Sequence, residues 1–329
     1  MEMFSYLFLF CAAGFILLYY GAEWLVKGSS SLAGDLGVTP IVIGLTVVAF
    51  GTSAPELVVS VISSVRGKSM IAVGNVIGSN ICNIALVLGM SCFLRPIECA
   101  PSIVRRDIPL MLAISLYLFL ISINSVIGRL EGATLFAGII LYTLYNYRGA
   151  LNESGQGDVD RKFCIISEVK EIGCVNSRKT QIFLILTGIA GVTSGAELVV
   201  DSATKMMKIL GVGEKFIGLT IVAFGTSLPE LATSVVAAMR KEMDISVGNL
   251  VGSNVFNILS VLGAASLVRP IHIPGGFFQS GLIIDYAVMM AISALPWLMM
   301  RKTPVLTKKD GLILLACYTG YIGWLIAKA

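Results

Sequence analysis

The chain has 329 residues, 56% of them hydrophobic and 13% charged, with a formal net charge of +4. Soluble domains carry about 25% charged residues, so this composition leaves too little polar surface to cover a water-soluble globule, and no basic stripe exists to bind nucleic acid. Apolar runs near the roughly 20 residues of a spanning helix recur from end to end, where a membrane barrel would alternate over about 10-residue segments; the expected class is an all-α integral membrane protein in a lipid bilayer.

Ten transmembrane helices are expected, over 3–27, 39–65, 70–94, 107–124, 130–147, 181–205, 216–239, 246–268, 281–300 and 311–328. The first run has no basic flank and reads as a span, not a cleaved signal. It carries Tyr19, Tyr20 and Trp24 as interface anchors and Glu23 four residues before Lys27, a spacing that allows a pair. The second and third runs hold two polar motifs, Gly51-Thr52-Ser53-Ala54-Pro55-Glu56-Leu57 and Gly74-Asn75-Val76-Ile77-Gly78-Ser79-Asn80, the latter followed by Asn83. Residues 148–180 form the one long hydrophilic stretch, and Asn152 to Asp158 has linker composition. The sixth run contains Glu197 and Asp201, of like sign, and the ninth contains Asp285 with no evident partner. Seven scattered cysteines without CxxC spacing read as packing residues. The single His272 sits in a Pro-flanked loop, and no nucleotide loop or nucleophile–base pair suggests an enzyme.

The chain repeats itself. Gly225-Thr226-Ser227-Leu228-Pro229-Glu230-Leu231 and Gly248-Asn249-Leu250-Val251-Gly252-Ser253-Asn254 restate the two motifs at one offset, 230 − 56 = 174 and 248 − 74 = 174. About half the positions aligned between Gly21 and Pro96 in the first copy are identical, beyond what shared hydrophobicity gives. The organisation is a first five-helix repeat (1–147), a linker (148–180) and a second (181–329). Five is odd, so the second repeat enters from the opposite side. Such inverted-topology repeats build alternating-access transporters with a midplane site between the halves. Alternating sides place 16 Lys and Arg on the linker side and 8 on the other, all 24 of the chain. The linker is therefore expected to be cytoplasmic, with both termini outside.

Proline in a helix removes a donor and loosens the turn before it, so carbonyls near Ala49 and Thr52, and near Ala223 and Thr226, are expected to become available. Thr52, Ser53, Thr226 and Ser227 add hydroxyls there, and Glu56 and Glu230 add carboxylates. These are hard oxygen donors, suited to Ca²⁺ and Na⁺. A carboxylate at that depth costs about 2.5–3.5 kcal/mol on the lenient insertion scale, and no basic residue lies in the same runs, which leaves protonation or a bound cation. Ser79 with Asn83, and Ser253 with Asn257, are four apart and share a helix face. Gly74, Gly78, Gly248 and Gly252 read as small faces for close helix approach. Asn75, Asn80, Asn249 and Asn254 read as holding helix ends or the broken backbone.

The paired GTSxPE and GNxxGSNxxN segments closely resemble the alpha repeats of the calcium/cation antiporter superfamily, best those of prokaryotic sodium/calcium exchangers. The resemblance implies Na⁺/Ca²⁺ antiport without a cofactor or an obligatory protein partner. Its metal ligands would be Glu56, Glu230, Asn83 and Asn257, with Thr52, Ser53, Ser79, Thr226, Ser227, Ser253 and the carbonyls of Ala49 and Ala223. Potassium-dependent members carry Asp where Asn257 stands, which implies no K⁺ requirement. Cation/proton members carry a glutamate in the second motif, absent here; this favours Na⁺ as counter-ion, with Ca²⁺/H⁺ exchange by the same glutamates as the alternative.

Overall fold

A computed structural model describes residues 2–154, 175, 177–210, 223–273, 276, 278 and 280–328. The helices are α1 (Glu2–Leu36), α2 (Pro40–Thr52), α3 (Ala54–Val65), α4 (Met70–Leu94), α5 (Ile108–Ser122), α6 (Arg129–Ser154), α7 (Arg178–Ile209), α8 (Ala223–Thr226), α9 (Leu228–Met239), α10 (Met243–Val268), α11 (Leu282–Met299) and α12 (Lys308–Lys328). The fold is all-α, and a helical segment lies under each expected span. Among the described residues, six helices are alone long and apolar enough to cross a bilayer, and α2 with α3, bent by 46°, makes a seventh. The others fall short for local reasons. Arg105, Arg106 and Asp107 open the α5 segment, and Tyr142, Tyr145, Asn146 and Tyr147 dilute α6. α9 has 12 residues, and 211–222 before α8 lie outside the described residues.

Boundaries move at the ends of the linker. α6 runs on to Ser154 and α7 begins at Arg178, so the linker is shorter than 148–180; most of it lies outside the described residues. α1 also continues nine residues past its expected end, to Leu36. The equivalence of the halves extends to elements. Ala54–Val65 maps onto Leu228–Met239, and Gly89–Leu94 onto Gly263–Val268, each shifted by 228 − 54 = 263 − 89 = 174.

Burial separates a core from a flank. Along their most apolar stretches, 72% of α4 and 83% of α10 is buried, against 33% of α1 and of α7. α1 and α7 lie along one another through glycines. A Cβ on Gly21 would sit 2.6 Å from the Val192 backbone nitrogen, and one on Gly188 would sit 2.6 Å from that of Leu25. Neither backbone can yield without the helices separating. Gly21→Val is expected to lower stability by about 1–3 kcal/mol, measured as an earlier thermal unfolding transition of the purified protein.

Two short antiparallel ribbons tie loops across the halves. β1 (Ile97–Glu98) pairs with β4 (Val305–Leu306), and β2 (Val126–Ile127) with β3 (Ile271–His272). Each joins two loops that the alternating topology puts on one side, opposite the other ribbon. Side-chain contacts follow the same rule. Ser30 donates to Glu242 Oε1 at 2.8 Å, and Val175 N–H donates to Ser31, on the linker side. Arg269 donates to the Val65 carbonyl at 3.0 Å on the other.

Several isolated charges find partners the sequence did not name. Glu23 pairs with Arg240, not with Lys27. Asp201 pairs with Lys205 at 2.6 Å, which offsets its like-charged neighbour Glu197. Asp285 accepts from the Tyr321 hydroxyl at 3.0 Å. Tyr19, Tyr20 and Trp24 are exposed on the outer face of α1.

Candidate cation site

The helix of the second span breaks at Ser53, which sits at φ −85°, ψ 7° between α2 and α3. Pro55 is the cause: without an N–H it cannot continue the ladder, and its ring sets a helix start. Ser227 sits at φ −91°, ψ 5° before Pro229 for the same reason. The break sets Glu56 and Glu230 in the first turns of α3 and α9, both fully buried.

The break does not free the Ala49 carbonyl from the helix, since its oxygen still accepts the Ser53 N–H at 3.0 Å. The helical bond survives because the missing donor is that of Pro55, which serves Gly51. In the second half Ser227 N–H turns to Phe224 at 3.2 Å instead, so that donor does not occupy Ala223.

The hydroxyls converge on the carboxylates from both halves. Ser53 donates to Glu230 Oε1 at 3.0 Å, and Ser79 to Glu56 Oε1 at 3.5 Å. Thr52 and Ser253 lie 3.4 Å apart and both approach Glu230. Thr52 also donates to Asn249 Oδ1 at 3.1 Å. The two glutamates are close enough for their charges to act on one another. Ser227 Oγ is buried with no oxygen or nitrogen partner among the described residues. Thr226 is half-buried at the end of α8.

The asparagines show why the second motif is built as it is. Asn83 Nδ2 donates to Asn254 Oδ1 at 3.1 Å, and Asn257 Nδ2 donates to Asn80 Oδ1 at 3.1 Å. Asn80 and Asn254 in turn donate to each other's backbone carbonyls at 3.3 and 3.4 Å. Since 254 − 80 = 257 − 83 = 174, these four bonds form two pairs related by the repeat. With the amide nitrogens engaged, the oxygens of Asn83 and Asn257 are turned the other way. Among the described residues both are buried without a partner, as are Glu56 Oε2 and Glu230 Oε2. Two carboxylate and two amide oxygens, two from each half, thus stand as acceptors that a cation could satisfy, and a buried acceptor left unpaired is costly.

Asn80 and Asn254 are thus positioning residues, a role not assigned to them from the sequence. Their i, i+3 spacing to Asn83 and Asn257 in both copies is the available signal. Asn75 and Asn249 instead bond Ser60 and Ser234, each at 3.0 Å, and tie α4 to α3 and α10 to α9. A second feature escapes periodicity altogether. The backbone winds wider, in π-helical turns, over Cys82–Leu88 and Asn257–Leu262. Such turns gather at functional sites, and here they begin where the amides stand. Gly248 and Gly252 pack closely, with Cβ positions 2.8 and 2.7 Å from the Ile41 and Leu45 carbonyls. The equivalent contacts of Gly74 and Gly78 would be to residues outside the described ones. Among the described residues no three His, Cys, Asp or Glu cluster as metal ligands.

The family model for "sodium/calcium exchanger protein" matches residues 6–148 and again 180–327, one match per half. The chain is 30% identical to the sodium/calcium exchanger MaX1 of Methanosarcina acetivorans, over 96% of this chain and 97% of that protein. It is 35% identical to the putative antiporter CaxA of Alkalimonas amylolytica, over 95% and 96%. A solved structure of the sodium-calcium exchanger NCX_Mj, soaked with Na⁺ and Sr²⁺, superposes with a TM-score of 0.82 at 32% identity, covering 98% of this chain and 99% of that one. By sequence over both halves and by fold, this chain belongs to the sodium/calcium exchanger family of membrane antiporters.

Proposed function

We propose that the chain exports Ca²⁺ in exchange for Na⁺ by alternating access, with both ions competing for one site made of Glu56, Glu230, Asn83 and Asn257. The observation that carries this is the set of four buried, unpartnered oxygens on two carboxylates and two neutral amides. Their formal charge of −2 is balanced by one Ca²⁺ or two Na⁺. Thr52, Ser53, Ser79, Thr226, Ser227 and Ser253, with the Ala223 carbonyl and the second lone pair of the Ala49 carbonyl, supply the further oxygens that Ca²⁺ coordination of six to eight demands. The excess of Lys and Arg on the linker side supports a cytoplasmic linker. Residues 1–147 and 181–329 act as the two halves, moving in opposite sense about the shared site.

With Asn at 257 the site lacks the third carboxylate that a co-transported K⁺ would help to neutralise, so exchange is K⁺-independent. Three Na⁺ per Ca²⁺ would move one net charge inward per cycle, and 100 mV, inside negative, would then contribute about 2.3 kcal/mol.

The test is ⁴⁵Ca²⁺ uptake into proteoliposomes under an imposed Na⁺ gradient with pH clamped. Uptake is expected with Na⁺, unchanged when K⁺ is removed, and faster when the potential favours movement of positive charge with Na⁺. Uptake driven by a pH gradient and indifferent to Na⁺ would establish Ca²⁺/H⁺ exchange instead.

A further inference from the structure

A cavity of about 390 Å³ opens between the start of the α5 segment and the end of α11, lined by Pro101, Arg105, Trp297, Arg301, Lys302 and Pro304 among others. It lies far from the glutamates in the chain and uses none of the exchange machinery. Its volume falls in the range of small-ligand sites. Three of its lining side chains are cations and none is an acid. Arg105, Arg301 and Lys302 are exposed and make no ion pair among the described residues. The nearest acid along the chain, Asp107, is already engaged by Arg106 at 2.8 Å. Arg301 is steadied 5.1 Å over the Trp297 ring, and the β1–β4 ribbon holds the two loops together.

The cavity's position names its occupant. It sits where apolar helices meet polar loops, on the side where α6 ends, since Gly149 of α6 lies close to Arg106. Trp297 has the amphipathic ring favoured at headgroup level. The next residue, Leu298, is 49% exposed on the outer surface of α11. A phosphate among three cations, with chains continuing down an apolar helix face, is the chemistry of a lipid, and basic pockets between spanning helices are suited to it. We propose that this cavity binds the headgroup of one anionic phospholipid, such as phosphatidylglycerol, and selects it over a zwitterionic lipid.

The probe is phosphatidylglycerol mixed with phosphatidylcholine in nanodiscs holding the full chain, followed by native mass spectrometry of retained lipid and by thermal unfolding. The expected result is one phosphatidylglycerol retained per chain and a raised unfolding temperature. Arg105→Gln/Arg301→Gln/Lys302→Gln should weaken retention by about a hundredfold, from roughly one kcal/mol for each cation. Lys27→Gln/Arg178→Gln/Lys179→Gln removes the same charge where α1 packs against the start of α7, outside the cavity lining, and should retain the lipid. Equal loss in both variants would reduce the effect to general surface charge and overturn the proposal. So would retention of phosphatidylcholine as strongly as phosphatidylglycerol. Full displacement of the lipid by excess inorganic phosphate would assign the cavity to a free anion. If the cavity variant unfolds, Trp297→Leu, which keeps all three cations, should still weaken retention, and unaltered retention there would overturn the placement.

Discussion

Glu56→Gln is expected to lower Na⁺-driven Ca²⁺ uptake by about a hundredfold to a thousandfold, and Glu230→Gln by the same order. Glutamine has the shape of glutamate and can still accept at one oxygen, as Glu56 does from Ser79 at 3.5 Å and Glu230 from Ser53 at 3.0 Å. What changes is the unpartnered oxygen of each, replaced by an amide nitrogen that repels a cation, while the site charge falls from −2 to −1. Removing one partner of a buried charged contact costs about 3–5 kcal/mol, and 1.4 kcal/mol is tenfold. Folding is expected to survive, because a neutral amide costs less to bury than a carboxylate. In ion-free buffer the variants should therefore unfold no earlier than the parent, yet lose the stabilisation that added Ca²⁺ gives by binding the native state. ⁴⁵Ca²⁺ uptake in proteoliposomes with parallel thermal unfolding checks both halves of this expectation; uptake left intact would remove the glutamates from the site.

Asn80→Ala and Asn254→Ala should each weaken Ca²⁺ binding by about 10–100-fold, although neither side chain is expected to touch the ion. Each removes the acceptor that fixes the opposite amide, Asn257 for Asn80 and Asn83 for Asn254. Loss of such orienting partners around metal ligands has effects of this size. A purely structural role would lower stability and leave ion affinity alone, so the readout is the Ca²⁺ affinity of the folded fraction. The coupling can be isolated as well. Once Asn254 is gone, Asn83→Ala should add much less than it does alone, the non-additivity expected of two residues acting as one unit. Additive losses would mean that Asn83 is oriented by something else.

These expectations locate what a sequence can and cannot disclose. Glu56, Glu230, Asn83 and Asn257 were legible because the chain states each motif twice; two rare intramembrane carboxylates in equal settings are hard to attribute to packing. The break at Ser53 was legible from Pro55, whose chemistry is local. The identity of the affected carbonyl was not, because it depends on whether the Ser53 N–H keeps its bond to Ala49. The Asn80–Asn257 and Asn254–Asn83 bonds cross between halves 177 and 171 residues apart, and no periodicity reports contacts at that range. The π-helical turns at Cys82 and Asn257 carry the same apolar composition as ordinary helix. The pairing of Glu23 with Arg240 over the nearer Lys27 reflects how α1 passes the end of α9, again a matter of assembly.

The most direct test of a single shared site is equilibrium binding of ⁴⁵Ca²⁺ to the purified full chain at a series of Na⁺ concentrations. One Ca²⁺ per chain is predicted, displaced by Na⁺ with no change in capacity, and absent from Glu56→Gln and Glu230→Gln. Saturation at two Ca²⁺ per chain, or Na⁺ lowering the capacity while leaving the affinity unchanged, would contradict one site built jointly by the two halves.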